Sequence, residues 1–260
     1  MTNTEIWRTA VRQSAIDSHC QPEDFEDTRH RVVLSAPDER ARQYLELPFS
    51  CDLTSYGHNI VASVSEEMAD TVETYISRYP TEHCFETPCM LELERGLNRH
   101  GQGICFMAEY FLPDVEKLTP SSCAYELRLL EPADFQDYYQ PAWGNALCSQ
   151  RPHLDRLAMG AFAKGELVGL AGCSADCATM WQIGVDVLPA YRRQGIASAL
   201  TSRLALEIIE RGKVPFYCCA WSNIGSARNA LASGLRPAWV QLTAKPLAFS
   251  AQMREAGRIR

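Results

Sequence analysis

The residues best suited to chemistry lie in one stretch, Val185-Asp-Val-Leu-Pro-Ala-Tyr-Arg-Arg-Gln-Gly-Ile-Ala-Ser-Ala-Leu200. Its pattern is strand, turn, small-residue loop, helix. Gly195 and Ala197 leave the first helical turn without bulky side chains, so its unpaired N–H groups are open to an anion. The helix dipole favours negative charge there, and Arg192 and Arg193 add two cationic donors. Such a loop can hold a pyrophosphate. It is neither a dinucleotide fingerprint nor a Walker loop, since G-x-G-x-x-G and G-K-[ST] are both absent. Other chemistries find less support. No G-x-S-x-G elbow presents a serine nucleophile, and His58 and His153 stand without a motif. Cys84 and Cys89 beside His83, and Cys173 with Cys177, lack a second pair at metal spacing, so no metal is expected.

The elements that must position this loop form an α/β pattern after about residue 124. YELRLL reads as a strand, and 131–145 as a helix with aromatic content. LAMGAFA and LVGLAGC are two strands joined by Lys164-Gly165-Glu166. MWQIGVDVL is a third strand, ending at Pro189. A helix over 194–210 follows, with Ile196, Leu200, Leu204 and Ile208 on one face. VPFYCCAW is another strand, 226–233 another helix capped by Ser226, and WVQLT a last strand. Before residue 120 the pattern predicts helices near 3–19, 65–79 and 87–99, with strands at RVVLS, NIVASV and GICFMAEYF. Helix 87–99, leading through Gly101 into its strand, echoes helix 194–210 leading through Gly212 into VPFYCCAW. Residues 245–260 read as a basic, partly disordered tail.

The chain has 260 residues, 46% apolar and 22% charged, which describes an ordinary globular protein of two domains. No apolar run suffices for a membrane span, and the N-terminus lacks a secretory stretch. Eleven cysteines, an odd number scattered through apolar contexts, read as small buried hydrophobes in a reducing cytoplasm. The net charge of −7 is uneven: residues 1–120 carry a net −11 and residues 121–260 a net +4. A nucleic-acid binder needs a basic face, and the acidic half opposes it.

Two signatures in register resemble the GNAT acetyltransferases. Val187-x-Pro189 followed by Arg192-Arg193-Gln194-Gly195-Ile196-Ala197 is similar to that family's R/Q-x-x-G-x-G/A pyrophosphate loop. Asn223-Ile-Gly-Ser226, followed by Gly234-Leu235, is similar to its N-x-x-[AS] helix start with a Gly-Phe at its end. The resemblance covers roughly residues 123–243. PFSCDLTSYGHNIVASV and CFETPCMLELERGL also resemble the N-terminal part of two-part bacterial GNAT proteins.

The resemblance implies an α/β (α+β) fold, with a GNAT-like mixed central sheet flanked by helices in the C-terminal half. A smaller α/β domain precedes it, in which a degenerate GNAT-like repeat is one reading. The implied layout is an acidic domain over 1–120, an acetyl-CoA-binding domain over 121–245 and a tail over 246–260. By resemblance, the backbone of Val185, Asp186 and Val187 pairs with the pantetheine arm of acetyl-CoA, and Gly184 marks a bulge. Arg192, Arg193, Gln194, Gly195, Ile196, Ala197 and Ser198 hold the pyrophosphate, while Asn223 and Ser226 contact the pantetheine and adenosine side.

The implied activity is direct N-acetylation of an amine, on a small molecule or a protein, by a cytoplasmic monomer or homodimer without metal, nucleic-acid or membrane partners. Two departures touch mechanism. Alanine stands at position 230, where many members place a tyrosine acid, and Cys218 stands where some place a glutamate base. Asp176 and Cys218 are the remaining catalytic candidates, and Trp143, Trp181 and Trp221 are candidates for lining the acceptor pocket. The same departures support an alternative, a non-catalytic CoA sensor or interaction module. An acidic wall from the first half would draw in a cationic amine.

Overall fold

The computed structural model describes residues 1–258. They form ten strands and six α-helices. The elements before residue 114 are α1 (Asn3–Ser18), β1 (Arg31–Leu34), β2 (Cys51–Ser55), β3 (Val61–Val64), α2 (Ala69–Ile76), α3 (Thr87–Asn98) and β4 (Gln102–Pro113). After it come β5 (Glu126–Leu130), β6 (Asp155–Ala163), β7 (Glu166–Ser174), β8 (Met180–Val187), α4 (Ile196–Glu210), β9 (Val214–Ala220), α5 (Ile224–Ala232), β10 (Leu235–Pro246) and α6 (Leu247–Arg258). Two compact units result. One comprises residues 1–10 and 110–237, the other residues 11–109 and 238–260. No helix among the described residues is long and apolar enough to cross a membrane.

In the first unit, β9, β8, β7, β6 and β5 lie side by side in that order. β5 to β8 are antiparallel neighbours, whereas β8 and β9 run parallel. The β6–β7 hairpin turns on Lys164 and Gly165, with φ of 52° and 87°. Positive φ at both central residues matches the right-handed twist of the strands they join. α4 packs Ile196, Leu200, Leu204 and Ile208 at 0–2% exposure against β6, β7 and β8. Each such side chain contributes roughly 1.5–3 kcal/mol when fully buried.

Residues 131–145 are not the helix their aromatic content suggests. They form two single 3-10 turns, Gln136–Tyr138 and Pro141–Trp143. Pro132 and Pro141 each lack an amide donor, and a proline inside a helix clashes with the preceding turn. The segment is held instead by side-chain burial, with Phe135, Trp143, Ala146 and Leu147 packed against Leu130, Ala158 and Leu170.

In the second unit, β1, β3, β2 and β10 lie in that order, with β1–β3 parallel and the other pairs antiparallel. α2 and α3 cover the core formed by Leu53, Ala62, Val72, Leu93 and Leu242. α2 stops at Ile76, short of the expected Tyr79. Residues 247–258 form α6 rather than a disordered tail, and residues 259 and 260 lie outside the described part. Gly101, after α3, and Gly212, after α4, take left-handed φ of 71° and 72° as their chains turn into β4 and β9. The eleven cysteines are all free.

Candidate active site

The parallel pairing of β8 with β9 covers only four residue pairs, from Met180↔Val214 to Ile183↔Tyr217. Beyond it the strands part. Residues 184–187 of β8 stay paired with β7 on their other edge, from Gly172↔Gly184 to Gly169↔Val187. The edge of β8 facing the fork therefore offers unpaired backbone groups to any extended chain that enters. That register with β7 is unbroken, so Gly184 carries no bulge. Its glycine is required by close approach: a Cβ there would lie 1.8 Å from the Asn145 carbonyl oxygen, and one on Gly172 would lie 2.0 Å from that of Ala146. Asp186 pins the same loop. Its Oδ2 accepts the Asn145 and Ala146 amides at 2.8 and 3.0 Å, and its Oδ1 accepts the Asn145 side-chain amide at 2.6 Å.

A cleft of about 590 Å³ runs from the fork to the start of α4. Val185, Asp186 and Val187 line one side, Arg192, Arg193, Gly195, Ile196, Ala197 and Ser198 the α4 end, and Asn223 and Ser226 the α5 side. Gly195 is the N-cap of α4, with a left-handed φ of 76°, and Arg193 before it has φ 61°. The next three amides belong to the first helical turn, whose N–H groups have no carbonyl partner within the helix. Arg192 Nε donates to the Val187 carbonyl at 3.0 Å, tying the loop back to β8. Gln194 does not line the cleft; its Oε1 accepts the Tyr125 hydroxyl at 2.5 Å.

Asn223, not Ser226, is the cap of α5. Its Oδ1 accepts the Ser226 amide at 3.1 Å, because an Asn side chain reaches the amide three residues on. That leaves the Ser226 hydroxyl to meet Tyr217, 2.6 Å away. Tyr217 and Arg228 also line the cleft and were missed by sequence reading. Arg228 sits on α5 outside either signature. Only the helix period, which sets it on the same side as Gly225 and Ala232 of the cleft lining, marks it. Burial pushes the Tyr217 hydroxyl above its usual pKa. Three guanidinium groups thus meet the cleft, and Asp186, the one acidic group among its lining residues, is already engaged with the 145–146 loop.

The other face of β8 carries a smaller recess of about 130 Å³, walled by Gln182, Gly184, Asp155 and Asp176. Cys218 lies at the fork, where its sulfur accepts the Gln182 side-chain amide at 3.2 Å. Asp176 is buried, accepts the Ser174 hydroxyl and lies 3.3 Å from the Arg151 guanidinium. None of the three tryptophans lines either cavity. Trp143 is core, Trp181 packs partly buried against the α4 cluster, and Trp221 is 40% exposed at the end of β9. Ala230 is fully buried in that same cluster.

A family model described as Acetyltransferase (GNAT) family matches residues 122–228. Residues 122–228 form a GNAT acetyltransferase domain. Among solved structures, it is similar to a GCN5-related N-acetyltransferase from Kribbella flavida, with 20% identity over 58% of this chain and 63% of that one, and a TM-score of 0.45. A GCN5-related N-acetyltransferase-like protein from Streptococcus suis has 17% identity over 61% and 69%, with a TM-score of 0.44. A GNAT-family acetyltransferase from Colwellia psychrerythraea has 16% identity over 55% and 57%, with a TM-score of 0.43. The chain thus spans less than two thirds of the Kribbella and Colwellia chains. No curated protein matches significantly. The GNAT domain holds the fork, the cleft and the α4 amides.

Proposed function

We propose that this protein transfers the acetyl group of acetyl-CoA to an amine. The observation that carries the reading is the cleft itself. It combines an unpaired strand edge at 184–187, the free amides of a 15-residue helix and three arginines. A pyrophosphate fits the α4 end, where a bulky side chain at 195 would be strained by the left-handed backbone. Acetyl-CoA supplies an activated thioester when bound. Val185 offers its backbone N–H and C=O groups and Val187 its N–H to the amide-bearing arm, Arg192 and Arg193 neutralise phosphate charge, and Tyr217 is the buried hydroxyl able to return a proton to a leaving thiolate. Residues 121–245 carry this chemistry, in an enzyme proposed to work in the cytoplasm.

Isothermal titration with acetyl-CoA tests the reading. Saturable binding at micromolar concentration is expected, and R192A/R193A is expected to weaken it about tenfold or more with an unchanged thermal midpoint. Equal affinity in the double variant would show that the loop does not hold the phosphates. Thiol release across a panel of amines separates an enzyme from a CoA-binding module without turnover.

A further inference from the structure

The recess on the second face of β8 is built around a carboxylate whose partners are incomplete. Asp155, 3% exposed at the start of β6, accepts the Cys148 amide and the Tyr139 hydroxyl, each at 3.0 Å, through Oδ2 alone. Its Oδ1 is buried and accepts no hydrogen bond. Asp176, 1% exposed, faces the same recess from the loop before β8, and its Oδ1 is held by the ion pair with Arg151. Arg151 is the one cation of the recess, and it is engaged with Asp176 at 3.3 Å. Two buried carboxylates therefore share one guanidinium, and Asp155 is left without a counter-charge. Leaving a buried acceptor unmade costs its full desolvation penalty.

The position of the recess gives that deficit a use. Side chains alternate along β8: Ile183, Val185 and Val187 pack toward α4, while Gly184 and Asp186 meet the 145–146 loop. The cleft proposed for acetyl-CoA opens on the α4 and α5 side, and the recess on the other. Asn145 lines both, and Gln182, which walls the recess, bonds to Cys218 at the fork. A space of about 130 Å³ admits an amino group and a short part of its stem, since water itself takes about 30 Å³.

We infer that this recess binds the acceptor, a primary ammonium group on an alkyl stem, through Asp155 Oδ1 with Asp176 alongside. The inference rests on the proposed transfer reaction for its meaning but not for its test. An ammonium donates three hydrogen bonds and carries one charge, matching the free Oδ1 of Asp155 and the carboxylate that has no ion pair of its own. The groups facing Asp155 are Tyr139, Cys148, Arg151, Cys173 and Asp176. Burial holds the Asp155 carboxyl at about 6, with Asp176 adding to the rise and Arg151 opposing it. Above that value it is an anion and draws a cation; below, it is neutral and does not.

The test is a titration with n-butylammonium, with an internal lysine in a capped tripeptide, and with n-butanol, followed by ligand-observed NMR with and without CoA. Both cationic probes, or either alone, are expected to bind at least fivefold more tightly than butanol. Binding of the butylammonium alone identifies a free amine; binding of the lysine peptide identifies a protein acceptor. D155N and D176N are expected to weaken the cation about tenfold while leaving CoA affinity unchanged, and to raise KM far more than they lower kcat. Lowering pH from 7.5 to 5.5 is expected to weaken the cation in the unsubstituted protein and not in D155N. Should D155N fail to fold, D176N and the pH series of the unsubstituted protein decide. Equal cation affinity in the variants and at both pH values overturns the inference and leaves acetyl transfer standing. Absence of CoA binding removes the transfer reading, while the CoA-free titration still judges the recess.

Discussion

Single side chains divide the proposed chemistry between the two faces of β8. With Ala230 buried in the core, the cleft-lining hydroxyl of Tyr217, next to Ser226, is the acid of the proposed reaction. Y217F is expected to lower kcat about a hundredfold in single-turnover assays with acetyl-CoA affinity retained, in line with general-acid contributions. An unchanged rate would mean that thiolate leaves without protonation from this residue. In the second unit Asp52 makes a different case. It is fully buried, its charge is opposed by burial, and its carboxyl is raised to about 6 although Thr243, Gln241 and Thr54 all donate to it. A carboxyl raised from about 3.8 binds its proton more tightly when folded. Its contribution to stability is therefore present below pH 4 and is lost as pH rises through 6. The thermal midpoint of D52N is expected to fall less than that of the unsubstituted protein between pH 4 and 7, a difference worth about 2–3 kcal/mol. Parallel curves for the two proteins would show that Asp52 titrates normally.

At the scale of elements, the fork works because a loop without regular structure lies flat on two glycines. Gly172 and Gly184 are register partners, and the carbonyls of Ala146 and Asn145 occupy the space their side chains would need. G184A would push the loop away and break the three bonds that Asp186 makes to it. A loss of roughly 2 kcal/mol or more is expected in denaturant melts, together with weaker acetyl-CoA binding. A melt within a few tenths of the unsubstituted value would show that the loop yields. The two glycines are legible in the sequence, but their purpose is not, because residues 144–147 reach them from forty residues away in one case.

At the scale of the whole chain, charge is the property that acts at a distance. The net charge is −7, with a net −11 in residues 1–120, and an acidic protein raises the local concentration of cations around it. For a cationic acceptor, kcat/KM is expected to fall about threefold or more between 50 and 300 mM salt, while a neutral acceptor changes little. Identical salt dependence for both would leave the recess on β8 as the acceptor's whole attraction.

How much the sequence determined follows from how local each feature is. The loop proposed to hold the pyrophosphate is legible because its requirements sit on consecutive residues: Gly195 for a left-handed cap, small residues after it, arginines before it. The face of α4 is legible because burial repeats with the helix period. The tertiary structure alone decided what distant segments do together. Prolines broke the helix expected at 131–145, and its aromatic residues found burial without one. Arg228 and Tyr217 entered the cleft through packing of α5 against β9. Asp155, Asp176, Arg151 and Gln182 come from separate loops and strands, and nothing in their spacing sets them around one space. A site made of neighbours in sequence leaves a motif, because the backbone itself holds the geometry. One made across a sheet leaves none, since its geometry exists only once burial of the core has brought the strands together.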